Sequence, residues 1–359
     1  MDSSTRRELT ALRLAALSLA SVGNPSPPDV VRHLLAMQAQ DFPGAKWSIG
    51  VRSPASTDAL VETSLAAGEI VRSWPLRGTL HFVAPEDLKW MLGVSGPHQA
   101  NRSAKRRRDL EITDGELARA GDVASGLMTG GRVIRRDRLL EAWSNAGIPT
   151  TGQRGYHLLW NIAHSGLIVF GPVDGKHPTF ALLDEFVSKH RTLDGDEALA
   201  ELARRYFHGH GPATIKDFAW WASITLSDAK RGLALSVEHL EAREFDGTTY
   251  YLSRDLAPVN HSVLALPGFD EYLLGYQDRS AALRSEFANQ IAPGGNGIFL
   301  PTIVVDGAVL GTWKRTEGAK KVTVDIVPFE TLSARTIARF TRQMKRYGEF
   351  LGKPVEVQP

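Results

Sequence analysis

The chain has 359 residues, 43% of them hydrophobic and 23% charged, enough for two or three units with substantial cores. No apolar run reaches the ~18 residues of a membrane span, and the absence of cysteine excludes disulfides, thiolate zinc sites and iron–sulfur clusters. A net charge of only +2 means that an anionic partner must be held by local basic patches rather than by the whole surface. The Met1–Glu8 segment lacks the basic, apolar and cleavage regions of a signal peptide, so a cytoplasmic location is expected.

In chain order, one pattern appears three times: helices, a strand, a turn, a second strand. The first copy predicts helices over Thr5–Ala20, Pro27–Gln40 and Thr57–Ala67, then a hairpin of Ile70–Leu76 and Thr79–Val83 around Arg77-Gly78. Ser26, Pro27 and Asp29 make a capping signature for the second of these helices. The second copy predicts helices over Gly115–Met128, Asp137–Trp143 and Arg154–His164, with strands Leu167–Phe170 and Pro178–Leu183 flanking Asp174-Gly175. The third has a helix over Glu197–Phe207, a second starting near Pro212, and a third capped by Ser227-Asp228 and running to His239. Strands Leu240–Phe245 and Thr248–Ser253 then pair across Asp246-Gly247. Helices followed by a β-hairpin describe a winged helix-turn-helix. The expected fold is therefore α+β, with three tandem winged units at residues 1–110, 111–190 and 191–258.

From Asn260 onward the texture changes. Leu264–Phe269, Ile303–Val305, Val309–Trp313 and Val322–Val327 read as strands of a small C-terminal β-barrel, closed or half-closed, over residues 259–359. Ser333–Leu351 reads as a terminal helix across it, and Pro293–Gly297 as a mobile loop.

Gln38-Ala39-Gln40 is the most informative local feature. On a continuous helix the two glutamines would sit about 200° apart, so acting together requires a backbone that has left the helix, as Pro43 demands. Two neutral carboxamides can hold one water and place carbonyl oxygens near a developing positive charge. They cannot abstract a proton, so such a site suits a leaving group that is already activated. In Arg77-Gly78-Thr79-Leu80-His81, Thr79 and His81 share one strand face, where the imidazole can donate to a phosphate, hold a water or bond a neighbouring carbonyl.

These segments together resemble the AlkZ/YcaQ-like bacterial DNA glycosylases, a family of tandem winged helices with a C-terminal barrel. The family's Gln-apolar-Gln/Asp motif is matched by Gln38-Ala39-Gln40, and its Thr-x-His element by Thr79-Leu80-His81. The resemblance continues through Leu266–Tyr276 and Asp306–Lys314, so it covers most of the chain. Gln at the second motif position resembles the AlkZ branch, whose members unhook interstrand crosslinks and remove bulky N7 adducts. The resemblance implies a monofunctional DNA glycosylase acting on N7-alkylated purines, crosslinks and bulky genotoxin adducts included, in an open cleft. Gln38 and Gln40 would be catalytic. A non-catalytic winged-helix regulator is the alternative.

The expected partner is double-stranded DNA carrying alkylated purines, with no membrane, metal or cofactor. Backbone contacts are expected from Arg102, Lys105, Arg106, Arg107 and Arg108, from Arg132, Arg135, Arg136 and Arg138, and from Lys314, Arg315, Lys320 and Lys321. Arg77, Thr79 and His81 are placed in DNA-binding or supporting roles. His208-Gly209-His210-Gly211 reads as a loop rather than a metal tract, Trp220-Trp221 as core, and Asp270 and Glu271 as structural partners of Arg279 and Arg284. Oligomeric state is not written in the sequence.

Overall fold

Side-chain caps and left-handed residues set the boundaries of the first elements. The computed structural model describes residues 1–20, 23–259, 263–295 and 297–358. Asp2 caps α1 (Ser3–Ala16) by accepting from the Thr5 N–H. The expected capping box starts α2 (Pro27–Leu34): Ser26 Oγ accepts from the Asp29 N–H while the Asp29 carboxylate takes the Ser26 N–H. That helix ends at Leu34, six residues earlier than expected, and its C-cap Leu35 has a positive φ of 65°. The chain then runs extended as β1 (Ala36–Gln38).

Pro43, read as a breaker, instead lies in the first turn of α3 (Phe42–Arg52), where its missing N–H costs nothing. The sequence pattern does not reveal α3 because residues 44–52 are buried on every face. Thr57 caps α4 (Asp58–Ala66), which is followed by β2 (Val71–Leu76) and β3 (Thr79–Val83). Their Arg77-Gly78 turn has φ of 53° and 68°, both left-handed as a type I′ hairpin requires. Next comes α5 (Leu88–Asp109), also unexpected, which runs straight through Gly93, Gly96 and Pro97.

The second region contains α6 (Asp114–Met128), β4 (Ile134–Arg135), α7 (Arg136–Asn145), α8 (Arg154–His164), β5 (Ile168–Phe170), β6 (Thr179–Leu182) and the short α9 (Leu183–Phe186). Asp174-Gly175 does lie in a tight turn: the Asp174 and His177 N–H groups donate to each other's carbonyls at 3.0 and 2.9 Å across Gly175-Lys176, as an isolated bridge beyond the ends of β5 and β6. The two hairpins join in one sheet of order β1-β3-β2-β5-β6-β4, linked at Arg72 opposite Phe170.

The third region has α10 (Gly195–His210), α11 (Ile215–Ala222), α12 (Leu226–Ser236) and a separate hairpin of β7 (Leu240–Phe245) and β8 (Thr248–Ser253). The cap of α12 is Thr225, two residues before the expected Ser227. His208-Gly209-His210 is the end of α10, not a loop.

Residues 260–262, where the change of texture begins, lie outside the described residues, as does Asn296 within the expected 293–297 loop. Beyond them come β9 (Val263–Leu266), α13 (Glu271–Leu274), α14 (Ala288–Ile291), β10 (Thr302–Val305), β11 (Ala308–Glu317), β12 (Val322–Pro328), α15 (Ala334–Leu351) and β13 (Val355–Gln358). The five strands form a curled half-barrel of order β13-β12-β11-β10-β9 rather than a closed barrel. Helix α15 packs against both β9 and β13, the two open edges.

One core runs through the first, third and C-terminal regions, while the second region has its own core around Trp143, Leu158 and Phe180. Trp74 of β2 belongs to that second core.

Candidate active site

Because α2 stops at Leu34, Gln38 lies at the end of β1 and Gln40 in the bend two residues further on. The helix end that the sequence suggests for the pair is therefore a strand end followed by a bend. β1 pairs antiparallel with β3, with Gln38 directly opposite His81. The ladder ends one residue later. The Ala39 N–H donates to Leu80 O at 2.7 Å, but the Ala39 carbonyl is taken by Arg72, through Nε at 3.2 Å and Nη2 at 2.8 Å. The Leu80 N–H turns instead to the side chain of Gln40, donating to Oε1 at 3.1 Å. A backbone donor needs an acceptor, so this bond fixes which way the exposed Gln40 amide lies.

Gln38 is 8% exposed and held at both its backbone and its side chain. Its N–H donates to Glu271 Oε1 at 3.1 Å, and its side-chain Oε1 accepts from Arg77 Nη2 at 3.3 Å. The same Nη2 lies 3.1 Å from His81 Nε2, and Arg77 Nη1 donates to Trp221 O at 3.0 Å. His81 is fully buried, with Nδ1 2.8 Å from Thr79 O. A carbonyl only accepts, so Nδ1 carries the proton and Nε2 is the acceptor for Arg77. Burial first, and then the Arg77 charge, push the imidazole down to about 3. His81 is therefore a neutral strut for Arg77, sealed from any phosphate. Thr79 Oγ1 is similarly turned inward, donating to Leu76 O at 3.4 Å.

Behind Gln38 lies a residue that sequence reasoning set aside. Glu271 is 1% exposed; its Oε2 accepts from Trp221 Nε1 at 2.9 Å and lies 3.3 Å from His210 Nε2. Burial alone would raise its carboxyl, but the His210 hydrogen bond and charge, with Arg77 nearby, carry it down to about 2. It is a fixed carboxylate. Gly275 is required here, since a Cβ at that position would come within 2.7 Å of the His210 ring. The expected partners of this acidic pair were wrong. Asp270 is gripped by buried Arg52 at 2.8 and 2.9 Å, Arg279 donates to Leu273 O, and Arg284 pairs with Glu286 and Glu330. The only signal available in the sequence was two adjacent acids after a strand, with no hint of Gln38 more than two hundred residues away.

A buried carboxylate, an arginine and two carboxamides, one at the end of β1 and one in the bend after it, make up the candidate site. The family model for AlkZ-like DNA glycosylases matches residues 31–350. This chain belongs to that family. It is 24% identical over 98% of both chains to the interstrand DNA cross-link repair glycosylase of Streptomyces sahachiroi. The solved structure of the Streptomyces sahachiroi DNA glycosylase AlkZ superposes with a TM-score of 0.82 at 22% identity, covering 98% of this chain and 99% of that one. The chain therefore shares the mixed α+β fold of AlkZ.

The basic residues expected around an AlkZ-like site divide into two groups. Some are committed to internal partners: Arg107 to Ile112 O and Asp114, Arg132 to Thr129 O and Gly126 O at the end of α6, Arg135 to Asp137 and Arg138 to Glu141. Arg315 is bound to Asp41, next to Gln40, at 3.2 Å, and Lys321 to Glu356. Arg102 donates to Ser223 Oγ at 2.9 Å and Arg106 to Gln153. By contrast, Lys105, Arg108, Arg136, Lys314 and Lys320 are exposed with no ion-pair partner among the described residues. Trp221 is core as expected, but Trp220 is not: it is half-buried between the guanidinium groups of Arg77 and Arg279, each 5.1 Å from its ring. With Arg102 and Lys216 it lines an open basin of about 540 Å³ beside Arg77.

Proposed function

We propose that this protein is a monofunctional DNA glycosylase that hydrolyses the N-glycosidic bond of N7-alkylated purines in duplex DNA, with Gln38 and Gln40 as the catalytic residues. The observation that carries this reading is Gln38 at the end of β1, backed by the buried Glu271 carboxylate, with the exposed Gln40 amide anchored two residues on by the Leu80 N–H. Alkylation at N7 leaves the base cationic, so it departs without a strong acid, and the sugar passes through an oxocarbenium-like state. The free lone pair of the Gln38 carbonyl and the exposed Gln40 amide align a water for attack at C1′. Glu271 balances the Arg77 charge, so the developing cation does not face an uncompensated guanidinium. At an effective dielectric of about 20, one unit charge ~8 Å away is worth about 2 kcal/mol.

An undamaged nucleotide lacks the activated leaving group, which makes selectivity partly chemical. Lys46, the lysine nearest the motif in sequence, is buried and bonded to Asp58 and Glu62. This favours hydrolysis over Schiff-base chemistry and strand cleavage. The three helix–hairpin regions read as winged helices that lay the duplex across the site. Because the Streptomyces sahachiroi relative is an interstrand cross-link repair glycosylase, crosslinks and bulky adducts fall within the proposed substrate range. No helix among the described residues is long and apolar enough to cross a membrane.

The test is single-turnover excision from a duplex carrying one N7-methylguanine, read as alkali-cleavable abasic sites. Gln38→Ala and Gln40→Ala are each expected to lower the rate by roughly 10²–10³-fold while duplex binding survives. Wild-type rates in both variants would remove the catalytic assignment. A regulator would leave the lesion intact and shift one operator sequence.

A further inference from the structure

Helix α4 leaves one stripe uncovered. Ala59, Glu62, Thr63 and Ala66 follow helical spacing and line a cavity of about 420 Å³. The opposite wall is the end of β5 and the connection after it, with Phe170 and Val173. The floor is Phe42, two residues after Gln40, together with Arg72. Small-molecule sites have this character: several hundred Å³, mostly apolar, with few polar groups that converge.

The polar groups here are unequal. Glu62 is neutralised by Lys46 at 2.6 Å. The Arg72 guanidinium lies 5.0 Å from both the Phe42 and the Phe170 rings, forms no ion pair among the described residues, and donates from Nε and Nη2 to Ala39 O only. Its Nη1 edge has no hydrogen-bond partner among the described residues. Burial lowers its pKa to about 10, opposed by Asp41, the mark of a cation held with little solvent. A cavity with apolar walls, two flat rings and one guanidinium edge without a protein partner among the described residues is complementary to an aromatic group bearing an acceptor.

We propose that this cavity binds a flat aromatic group with a carbonyl or anionic edge facing Arg72. Occupancy is transmitted to the catalytic motif, because the same guanidinium holds the carbonyl of Ala39, between the two glutamines. The group has two possible sources, a free small molecule or the aromatic appendage of a DNA adduct. The second source rests on the glycosylase reading; the first does not.

Fluorescence titration with 8-anilinonaphthalene-1-sulfonate, an aromatic anion, and with uncharged N-phenyl-1-naphthylamine tests the site directly. The expected result is one-to-one binding with preference for the anion, weakened about tenfold or more, ~1.4 kcal/mol, by Ala66→Trp. Val173→Trp, on the opposite and exposed wall, is a second filling variant should the first misfold. Binding of the anion that neither variant changes, or no binding together with unchanged excision, overturns the proposal. Single-turnover excision in Ala66→Trp then separates the sources. Slowed release of a bulky aromatic N7 adduct with N7-methylguanine unaffected assigns the group to the lesion. Equal rates on both lesions, with probe binding lost, assign it to a free ligand. Absence of all excision would sink the glycosylase reading and leave the titration standing.

Discussion

The polar network behind Gln38 and the basic run on α5 use the same residue types under opposite conditions. Around Gln38, Arg77 spends its donors on Gln38, His81 and Trp221, and Glu271 accepts from three elements of the fold. Each group there is worth much because water cannot replace its partner. On α5, Lys105 and Arg108 project into solvent, and their charges are screened within about 8 Å at physiological salt. Under the proposed function the first region would shape the chemistry at one atom, and the second would raise only the local concentration of a polyanion. Arginine content alone does not distinguish them. Burial and partners do.

The largest effect follows from breaking the buried side of this comparison. Glu271→Gln keeps the shape and removes the charge, leaving Arg77 uncompensated beside the position of the developing cation. Single-turnover excision is expected to fall by about 10–100-fold, with binding of undamaged duplex unchanged. Breaking a buried charge cluster also costs stability, of order 3 kcal/mol, so thermal unfolding should be measured in parallel. Glu271 is a positioning residue in this scheme. Its loss should therefore hurt a cationic N7-methylguanine more than a lesion whose leaving group is neutral. Equal losses on both would show that Glu271 merely holds the fold.

A smaller effect concerns pH. His81 stays neutral in the fold down to about 3, against an ordinary value of 6.5. Above 6.5 both folded and unfolded chains are neutral there, so nothing changes. Below 6.5 the unfolded chain gains a proton that the fold refuses, and stability falls by about 1.4 kcal/mol per pH unit, or ~2 kcal/mol at pH 5. His33 and His164, both held near 4 mainly by burial, add in the same direction and window. Glu271 contributes in a lower window, from its ordinary 4.5 down to about 2. Denaturant midpoints between pH 7 and pH 5 should decline, and His81→Gln should flatten the slope. Excision at pH 6–9 should be level, because carboxamides do not titrate; a bell-shaped profile would point to a general base elsewhere.

Legibility tracked locality. The Ser26/Asp29 capping box and the Arg77-Gly78 and Asp246-Gly247 turns were readable, because each depends on residues within four of one another, the turns also on left-handed backbone. The end of α2 was not: Leu35 and Met37 continue an apolar pattern, and tertiary packing forces the positive φ that nothing local announces. Helix α5 was hidden by Gly93, Gly96 and Pro97, and α3 by burial on all sides. Within the site, Gln38, Gln40, Arg77 and His81 were nameable from their motifs. Glu271 was not, since it reaches Gln38 only through the fold.

The last test divides the basic run itself. Lys105, Arg106 and Arg108 sit on an exposed part of α5 and pair with no carboxylate among the described residues, Arg106 reaching only the Gln153 amide, whereas Arg107 is tied to Ile112 O at 3.0 Å and to Asp114 at the start of α6. Changing the first three to Gln should weaken binding to every duplex and lower the slope of log K against log salt by about one per lost phosphate contact. The excision rate at saturating DNA should stay the same, because none of the three touches the Gln38 network. Arg107→Gln should do the reverse. It loses an anchor between α5 and α6, costs about 1 kcal/mol of stability, and leaves the slope alone. Four adjacent cations would then fall into two kinds, sorted by what each touches rather than by charge. If the triple variant leaves the slope unchanged, this face of α5 does not meet DNA, and the duplex must be held by Lys314 and Lys320 or by Arg136 on the second region instead.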